Sequence, residues 1–202
     1  DKLGFGHSTN NGFPGEAEGK LVGYEQWRPI ERATLAFGYG LSSSALQLAR
    51  AYGAIANDGI VQEISLVREE RHVEGDRVMS TAIAKQIRAM LQGVVSPVGT
   101  APRAQIHGYS VAGKTGTVKK AIAGGYSEDK YLGIFAGMAP ASNPKLVLVV
   151  VIDEPKAGDY YGGLVAAPVF SRIMAGALRL MNVAPDDIKT SSVLAMLGRG
   201  TP

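Results

Sequence analysis

The segment formed by residues 111–117 constrains this chain more than any other part of the sequence. Within it, Lys114, Thr115, Gly116 and Thr117 bring together a cation, two hydroxyls and a bare glycine backbone. Side chains of an extended strand alternate between its two faces, so Thr115 and Thr117 would point the same way and could both donate to one carboxylate. Gly116 would point the other way and allow close packing behind the strand. The segment therefore predicts a strand along which an anionic substrate lies.

The same lysine also fits a phosphate-binding loop, because residues 108–115 have the sequence Gly-Tyr-Ser-Val-Ala-Gly-Lys-Thr. An apolar run that ends in Asp153 and Glu154 resembles the acidic strand of a nucleotide hydrolase. A phosphate loop, however, needs a buried strand before its first glycine and a helix that begins at the lysine. Residues 102–107 make a poor core strand, and the glycines after the lysine disfavour a helix, since each interior glycine costs about 1 kcal/mol relative to alanine. The strand interpretation is therefore favoured over the nucleotide interpretation.

Composition and charge exclude several classes of protein. The 202 residues are 46% hydrophobic and 19% charged, which is typical of one globular domain or a large part of one. The net charge of +3 is small and the basic residues are scattered, so nucleic acid is not an expected partner. The chain lacks cysteine and its three histidines lie far apart, so no metal or other cofactor is expected. Its longest aliphatic run, residues 146–152, is far shorter than the roughly 20 residues that cross a bilayer.

Hydrophobic periodicity and capping residues predict a mixture of helices and strands. The predicted helices cover three segments: 45–56, 80–93 and 168–181. The predicted strands cover four segments: 64–73, 109–119, 131–139 and 146–153. The last two strands are joined by the short connection 140–145, which favours an antiparallel hairpin. Residues 4–32, rich in glycine, asparagine and proline, are predicted to form loops and short turns. The first helix is expected to bury an apolar stripe made of Leu46, Ala49, Tyr52, Ile55 and Ala56.

Several longer motifs resemble those of class B penicillin-binding proteins and follow one another in that family's order. They are residues 4–6, 12–16, 30–40, 46–49, 108–117, 160–163 and 167–170. The similarity extends from Gly4 to about Asn182, which is nearly the whole chain. The chain therefore resembles the C-terminal part of the division-specific peptidoglycan D,D-transpeptidases of the penicillin-binding protein 3 type. Since the first residue is not methionine, we expect the chain to be a fragment of a longer protein.

The resemblance implies a fold and a division of the chain. The expected fold is mixed α/β, with a largely antiparallel sheet flanked by helices, of the serine D,D-peptidase and β-lactamase type. Residues 1–185 would form the C-terminal part of the transpeptidase domain. Residues 186–202 would form a flexible C-terminal tail.

The resemblance also implies an enzyme. A serine would attack the penultimate D-alanine carbonyl of a peptidoglycan stem peptide that ends in D-alanyl-D-alanine, and the acyl-serine would pass to an amine during septal cell-wall synthesis. Penicillins and other β-lactams would mimic this substrate. The intact protein would face the periplasm from the bacterial inner membrane, anchored by an N-terminal segment outside this chain. Division-complex membrane proteins would be its partners.

The family's residue roles can be carried over to one motif. The hydroxyls of Thr115 and Thr117 would bind the substrate carboxylate, and the backbone N–H of Thr117 would be one oxyanion donor. Lys114, which with Thr115 and Gly116 makes up the motif, would set the potential of the site and help to hold the hydroxyl network. Four tyrosines match aromatic positions that line the family's cleft: Tyr39, Tyr131, Tyr160 and Tyr161. The two glycines after Tyr161 are expected to let the last two rings swing.

The family's other two motifs are expected upstream of Asp1. The first is serine, two residues and lysine, and the second is serine, any residue and asparagine. Residues 127–130 fit the first pattern but follow the third motif, and residues 8–10 fit the second pattern inside a loop that should come later. Both matches are interpreted as ordinary loop residues. The chain alone is therefore expected to be inactive, and the alternative is a nucleophile-free fragment that acts only as a peptide- or partner-binding module.

Overall fold

The computed structural model describes residues 2–36, 38–68, 74–123, 125–156 and 158–188. The chain divides into two compact units, residues 1–85 and residues 86–202, and each unit is described by itself. In the described part of the chain, no helix combines the length and the apolar character that crossing a membrane requires.

The described part of the first unit contains two α-helices and a small two-stranded sheet. Their bounds are α1 (Pro29–Leu35), α2 (Ala45–Ala56), β1 (Ile60–Val61) and β2 (Asp76–Arg77), and β1 pairs antiparallel with β2. The predicted helix 45–56 is confirmed. Ser44 caps it, since its hydroxyl accepts from the backbone N–H of Gln47 at 3.1 Å while the Gln47 side chain accepts from the Ser44 N–H at 2.8 Å.

Helix α1 begins at Pro29, inside the stretch 4–32 that was predicted as loop and turns, so that prediction is wrong over residues 29–32. The backbone N–H of Arg28 donates to the Glu31 carboxylate at 2.7 Å, and Pro29 occupies the first helical position. Both features stabilise a helix start, because they satisfy or remove N–H groups that have no partner inside the helix.

The predicted strand 64–73 is wrong over residues 64–68, and residues 69–73 lie outside the described part. Ser65 interrupts the extended chain, because its hydroxyl donates to the carbonyl of Val67 at 2.7 Å and accepts from the Val67 N–H at 3.2 Å. Such local bonds compete with strand pairing. The sheet of this unit forms instead from the residues on either side, with Ile60 paired to Arg77.

Helix α3 (Thr81–Val95) begins after Ser80, whose hydroxyl accepts from the Ile83 N–H at 3.3 Å. Its residues 86–95 belong to the second unit, whose described part also contains a three-stranded sheet and two further α-helices. Their bounds are β3 (Ala112–Ile122), β4 (Gly125–Ala139), β5 (Leu146–Asp153), α4 (Gly162–Val165) and α5 (Ala167–Leu180). The strand order is β3-β4-β5 and both pairs are antiparallel. The predicted hairpin and the mixed α/β class with an antiparallel sheet are confirmed.

Helix α5 packs on one face of this sheet and forms the core of the second unit. Phe170 of α5 and Phe135 of β4 are fully buried and meet edge to face, with ring centroids 4.8 Å apart. Gly137 makes room for this contact, because a Cβ there would lie 3.0 Å from the Phe170 ring. Met174 and Leu178 continue the buried stripe of the helix. The face of the sheet that carries Phe135 is therefore fixed against a rigid helix.

The last described residues follow α5 and return to the start of β3. Of the predicted tail 186–202, the structure describes residues 186–188. The Asp186 carboxylate accepts a hydrogen bond from the Ser110 N–H at 2.7 Å, and the Asp187 N–H donates to the Gly108 carbonyl at 3.1 Å.

Candidate active site

The segment that holds Lys114 is a strand, as predicted. It lies inside β3, where Thr115 pairs with Phe135 and Thr117 pairs with Gly133 of β4. Strand alternation places both threonines on one face and Lys114 on the other. A phosphate loop would need a helix to begin at the lysine, so this geometry excludes the nucleotide interpretation.

Strand β3 is an edge of the described sheet, because β4 is its single neighbour there. Half of the backbone N–H and C=O groups of an edge strand point away from the sheet and can pair with an extended peptide. The hydroxyls and the ammonium group of the motif lie along this edge strand. The strand thus offers backbone donors, side-chain donors and positive charge to one ligand.

The Thr115 hydroxyl is held by two neighbours. The Lys114 ammonium donates to it at 3.2 Å and to the Thr115 carbonyl at 3.0 Å, and the Thr100 hydroxyl lies 3.2 Å away. An ammonium group can only donate, so the Thr115 oxygen accepts from Lys114. When Thr100 also donates, both lone pairs of Thr115 are used and its proton is left to donate to a ligand carboxylate. Thr100 was not predicted, because it lies in an irregular segment and belongs to no motif.

The Thr117 hydroxyl is oriented by the backbone of α4. The N–H of Gly162 donates to it at 3.0 Å, which occupies one lone pair and leaves its proton free to donate. Thr115 and Thr117 share a face of β3. The proton of Thr117 is available to an anion, and that of Thr115 is available when Thr100 donates the bond that the two hydroxyls share.

Glycines let α4 lie directly on strands β3 and β4. A Cβ at Gly162 would lie 2.2 Å from the Ile134 carbonyl oxygen, and one at Gly163 would lie 2.2 Å from the Thr100 carbonyl oxygen. On the strand side, a Cβ at Gly133 would lie 2.4 Å from Val165. Gly162 and Gly163 are buried, so they serve close packing. That the neighbouring rings can swing stays a prediction.

Lys114 is exposed, and its ammonium group lies 3.2 Å from the Thr115 hydroxyl. The acidic residues at the end of β5 bind other lysines: Lys120 contacts Asp153 at 2.9 Å and Glu154 at 2.8 Å, and Lys130 contacts Glu154 at 3.5 Å. Within the described residues no carboxylate pairs with Lys114. The positive potential at the motif is therefore available to an anionic ligand.

Three of the four predicted cleft tyrosines form one stack beside the motif. The rings of Tyr131 and Tyr160 are stacked with centroids 4.1 Å apart, and those of Tyr160 and Tyr161 with centroids 4.5 Å apart. A hydrogen bond with Tyr161 raises the pKa of Tyr160 above its ordinary value. Tyr161 is 55% exposed and presents its ring at the surface. The stack adjoins Thr117, because Tyr160 and Tyr161 directly precede Gly162.

Tyr39, the fourth tyrosine, belongs to the first unit. It is half-buried, and its backbone N–H donates to the Thr34 carbonyl at 3.1 Å. Since the two units are described separately, the grouping of Tyr39 with the other three rings remains a prediction.

In the second unit, the serines that begin serine-x-x-lysine matches donate hydrogen bonds to aspartates. The Ser127 hydroxyl donates to Asp129 at 2.8 Å, while the Lys130 ammonium contacts Glu154, so this lysine is engaged away from the serine. Ser127 lies in strand β4, whereas a turn was expected. A further serine-x-x-lysine match, which the sequence analysis missed, begins at Ser142, and this hydroxyl donates to Asp186.

The match at residues 8–10 is also structural. The Glu16 carboxylate accepts from the Ser8 hydroxyl at 2.8 Å and from the Thr9 N–H at 3.0 Å. Hydrogen bonding from Thr9, and then from Ser8, lowers the pKa of Glu16 below its ordinary value. Glu16, which had no assigned role, therefore closes this loop. Among the described residues there is also no cluster of side chains that could hold a metal ion.

Comparison with known proteins agrees with this geometry. The family described as the penicillin binding protein transpeptidase domain matches residues 1–175. The chain is 46% identical to the peptidoglycan D,D-transpeptidase FtsI of Escherichia coli K12 over 189 residues, which is 94% of this chain and 32% of that protein. It is also 46% identical to the probable peptidoglycan D,D-transpeptidase PbpC of Pseudomonas aeruginosa over 194 residues, which is 96% of this chain and 34% of that protein.

A solved structure shows the same fold. The apo structure of the transpeptidase domain of penicillin-binding protein 3 from Burkholderia pseudomallei matches with a TM-score of 0.86 and 46% identity, over 93% of this chain and 57% of that one. The chain spans about a third of the length of the curated relatives it matches. This chain belongs to the penicillin-binding protein transpeptidase family, and its fold is that of the family's transpeptidase domains.

Proposed function

We propose that this chain is the C-terminal part of the catalytic domain of a serine-type peptidoglycan D,D-transpeptidase, and that the protein cross-links stem peptides during septal cell-wall synthesis. Membership of the transpeptidase family supports the reaction class. One observation supports the substrate: the hydroxyls of Thr115 and Thr117 lie on one face of an edge strand, beside the unneutralised ammonium group of Lys114.

The proposed substrate carries its negative charge at the terminal carboxylate of D-alanyl-D-alanine. The oxygens of Thr115 and Thr117 already accept from Lys114 and Gly162, and their protons would donate to this carboxylate, with Thr100 as the donor of the bond that it shares with Thr115. A hydrogen bond to a charged group contributes about 1.5–3 kcal/mol. Two such bonds would fix the register of the substrate along β3, and Lys114 would add electrostatic attraction.

The proposed chemistry is acyl transfer through a serine. We assign the nucleophile to a part of the protein outside this chain, because Ser127 and Ser142, which start the two serine-x-x-lysine matches, donate to aspartates. The backbone N–H of Thr117 would donate to the oxyanion that develops on the substrate carbonyl. Penicillins carry a carboxylate and a reactive amide in a similar arrangement, so they would bind the same groups and acylate the serine.

The tyrosine stack would form an apolar wall at the side of this site. Tyr161 offers the largest exposed ring surface, and Tyr160 and Tyr131 support it from behind. Such a wall would contact apolar groups of stem peptides or of inhibitors.

The same proposal gives the protein a location and partners. Its catalytic domain would lie at the periplasmic face of the bacterial inner membrane, anchored by an N-terminal segment outside this chain. Membrane proteins of the division complex would be its partners. The similarity to the protein named FtsI, which covers 32% of that protein's length, supports this assignment.

Labelling with a fluorescent penicillin tests the proposal. We refer to this chain joined to the preceding, serine-bearing part of a transpeptidase domain as the complete protein. The complete protein and the isolated chain are compared on a denaturing gel. We expect a covalent band for the complete protein and no band for the isolated chain. A band on the isolated chain would refute the assignment of the nucleophile. A complete protein that binds stem peptide but is never labelled would favour a binding module over an enzyme.

A further inference from the structure

The carboxylate of Asp186 is the meeting point of three hydrogen bonds. It accepts from the backbone N–H of Ser110 at 2.7 Å, and from the hydroxyls of Ser110 and Ser142. Burial alone would raise the pKa of Asp186, but these bonds outweigh it and hold the pKa below its ordinary value. Hydrogen bonds to a charged carboxylate are among the stronger ones in proteins. Asp186 thus joins the C-terminal segment to two other parts of the second unit.

Ser110 is the centre of this network. Its hydroxyl donates to Asp186 and accepts from the N–H of Ala141 at 2.9 Å, and its carbonyl also lies 2.9 Å from the Ala141 nitrogen. Ala141 is the second residue after the end of β4. Ser110 therefore connects the segment before β3 with the segment after β4, and Asp186 holds both.

Two further bonds place the C-terminal segment against the same region. The hydroxyl of Tyr109, which is buried, donates to the Val183 carbonyl at 2.7 Å, and the Asp187 N–H donates to the Gly108 carbonyl at 3.1 Å. Gly108 has a φ of +83°, which favours glycine, and a Cβ there would lie 3.5 Å from Pro185. We refer to the contacts of residues 183–187 with residues 108–110 and 142 as the C-terminal clasp.

The clasp lies next to the strand that carries the candidate site. Ser110 comes two residues before β3 begins, and Lys114 comes four residues after Ser110. In the register of the sheet, Ala112 pairs with Met138, so the clasp lies just beyond the first pair between β3 and β4. Small displacements of catalytic groups can lower a reaction rate by orders of magnitude, because the chemical step depends on their alignment.

We propose that Asp186 is a positioning residue for the candidate site: through Ser110 it fixes the start of β3, and with it Lys114 and the two threonines. This inference rests on the proposed transpeptidase function, since its effect is measured as acylation. It predicts that the C-terminal segment, which contacts none of the site residues directly in the described structure, controls the rate of the chemical step.

The test uses the complete protein and measures the binding of penicillin and the first-order acylation rate separately. We expect Asp186→Asn and Ser110→Ala each to lower the acylation rate about 10-fold while changing penicillin binding less, because alignment matters most in the chemical step. The double variant should be no slower than the slower single variant, since both changes break one network. Asp187→Asn is the matched control, because it removes the same charge one residue away and leaves the clasp bonds in place.

Melting curves show that each variant is folded at the assay temperature. If Asp186→Asn fails to fold, Ser142→Ala removes a single donor to the same carboxylate and should give the same selective loss of acylation rate. An unchanged acylation rate in a folded Asp186→Asn or Ser142→Ala variant, with normal acylation of the unmodified protein, would overturn this inference alone. An unmodified complete protein that is never acylated would overturn the proposed function, and this inference with it.

Discussion

The backbone N–H of Gly162 donates a 3.0 Å hydrogen bond to the hydroxyl of Thr117, which lies 45 residues earlier in the chain. The bond ties the loop that carries Tyr160 and Tyr161 to the strand that carries Lys114. It requires the backbone of α4 to approach β3 and β4 so closely that only glycine fits at residue 162. The orientation of the Thr117 hydroxyl and the position of the tyrosine stack therefore depend on one contact.

We expect Gly162→Ala to damage both the stability and the acylation rate of the complete protein. The new methyl group would lie 2.2 Å from the Ile134 carbonyl oxygen and 2.5 Å from the Gly116 carbonyl oxygen. Overpacking of this kind costs about 1–3 kcal/mol. Chemical unfolding and penicillin acylation measure the two effects. Gly176→Ala is the control, because a Cβ there meets nothing within 4 Å and alanine favours helix. Equal stability of the two variants would show that α4 does not need this close approach.

Thr117→Val should slow acylation of the complete protein by roughly 10- to 100-fold, because the lost hydrogen bond to a charged carboxylate contributes about 1.5–3 kcal/mol. The backbone N–H proposed as oxyanion donor would remain. Thr117→Ser keeps the hydroxyl and should retain most of the rate. Stopped-flow kinetics measure the acylation rate. A rate for Thr117→Val within twofold of that of the unmodified protein would show that Thr117 does not bind the carboxylate.

The sequence predicts features that depend on neighbouring residues. The apolar run of β5 and the helix capped by Ser44 have the predicted bounds, because strand pattern and capping are local signals. In α2, however, the residues of the expected apolar stripe are half-buried, and the buried positions are Ala51, Ala54 and Gln47, which is 1% exposed. Its amide donates to the carbonyls of His7 and Glu18 at 2.7 Å each, which are contacts across at least 29 residues. A polar residue can be buried where distant carbonyls satisfy it, and no local pattern reveals this.

The candidate site shows the same division between local and distant signals. Lys114, Thr115 and Thr117 follow from one short motif and strand alternation. Thr100, Ser110 and Asp186 were not predicted, because each acts through a partner that the fold brings close from a distant part of the chain. The close packing of the two glycines after Tyr161 was not predicted, since it depends on strands β3 and β4 and on Thr100.

Replacing Tyr160 and Tyr161 together by alanine should weaken acylation by bulky apolar β-lactams more than by small polar ones. Burial of one ring face contributes about 1–2 kcal/mol at roughly 25 cal/mol per Å², which corresponds to about 5- to 30-fold in rate. Tyr24→Ala is a control, because Tyr24 is 65% exposed in the first unit. Equal losses for both inhibitor classes would mean that the tyrosines are structural and form no wall for the inhibitor.

The Asp186 carboxylate should make the stability of the complete protein depend on pH. Its folded-state pKa is lowered, so its hydrogen bonds stabilise the fold fully above the unfolded-state pKa of about 4. The contribution is lost as the pH falls below that value through the folded-state pKa. The difference in melting temperature between the unmodified protein and Asp186→Asn should therefore be largest near neutral pH and shrink in acid. A difference that stays constant from about pH 7 to about pH 3 would show that the charge of Asp186 does not stabilise the clasp.

The rate at which the complete protein cross-links stem peptides, measured from the dimeric product by mass spectrometry, tests the central claim most directly. We expect the unmodified protein and Lys145→Ala, which changes an exposed lysine in the β4–β5 connection, to form the product at similar rates. The Lys114→Ala variant should form the dimeric product at least about 100-fold more slowly. The substitution removes the charge and the donor that orient the substrate carboxylate and the Thr115 hydroxyl. Cross-linking that proceeds equally well without Lys114 would contradict the assignment of this strand as the active site.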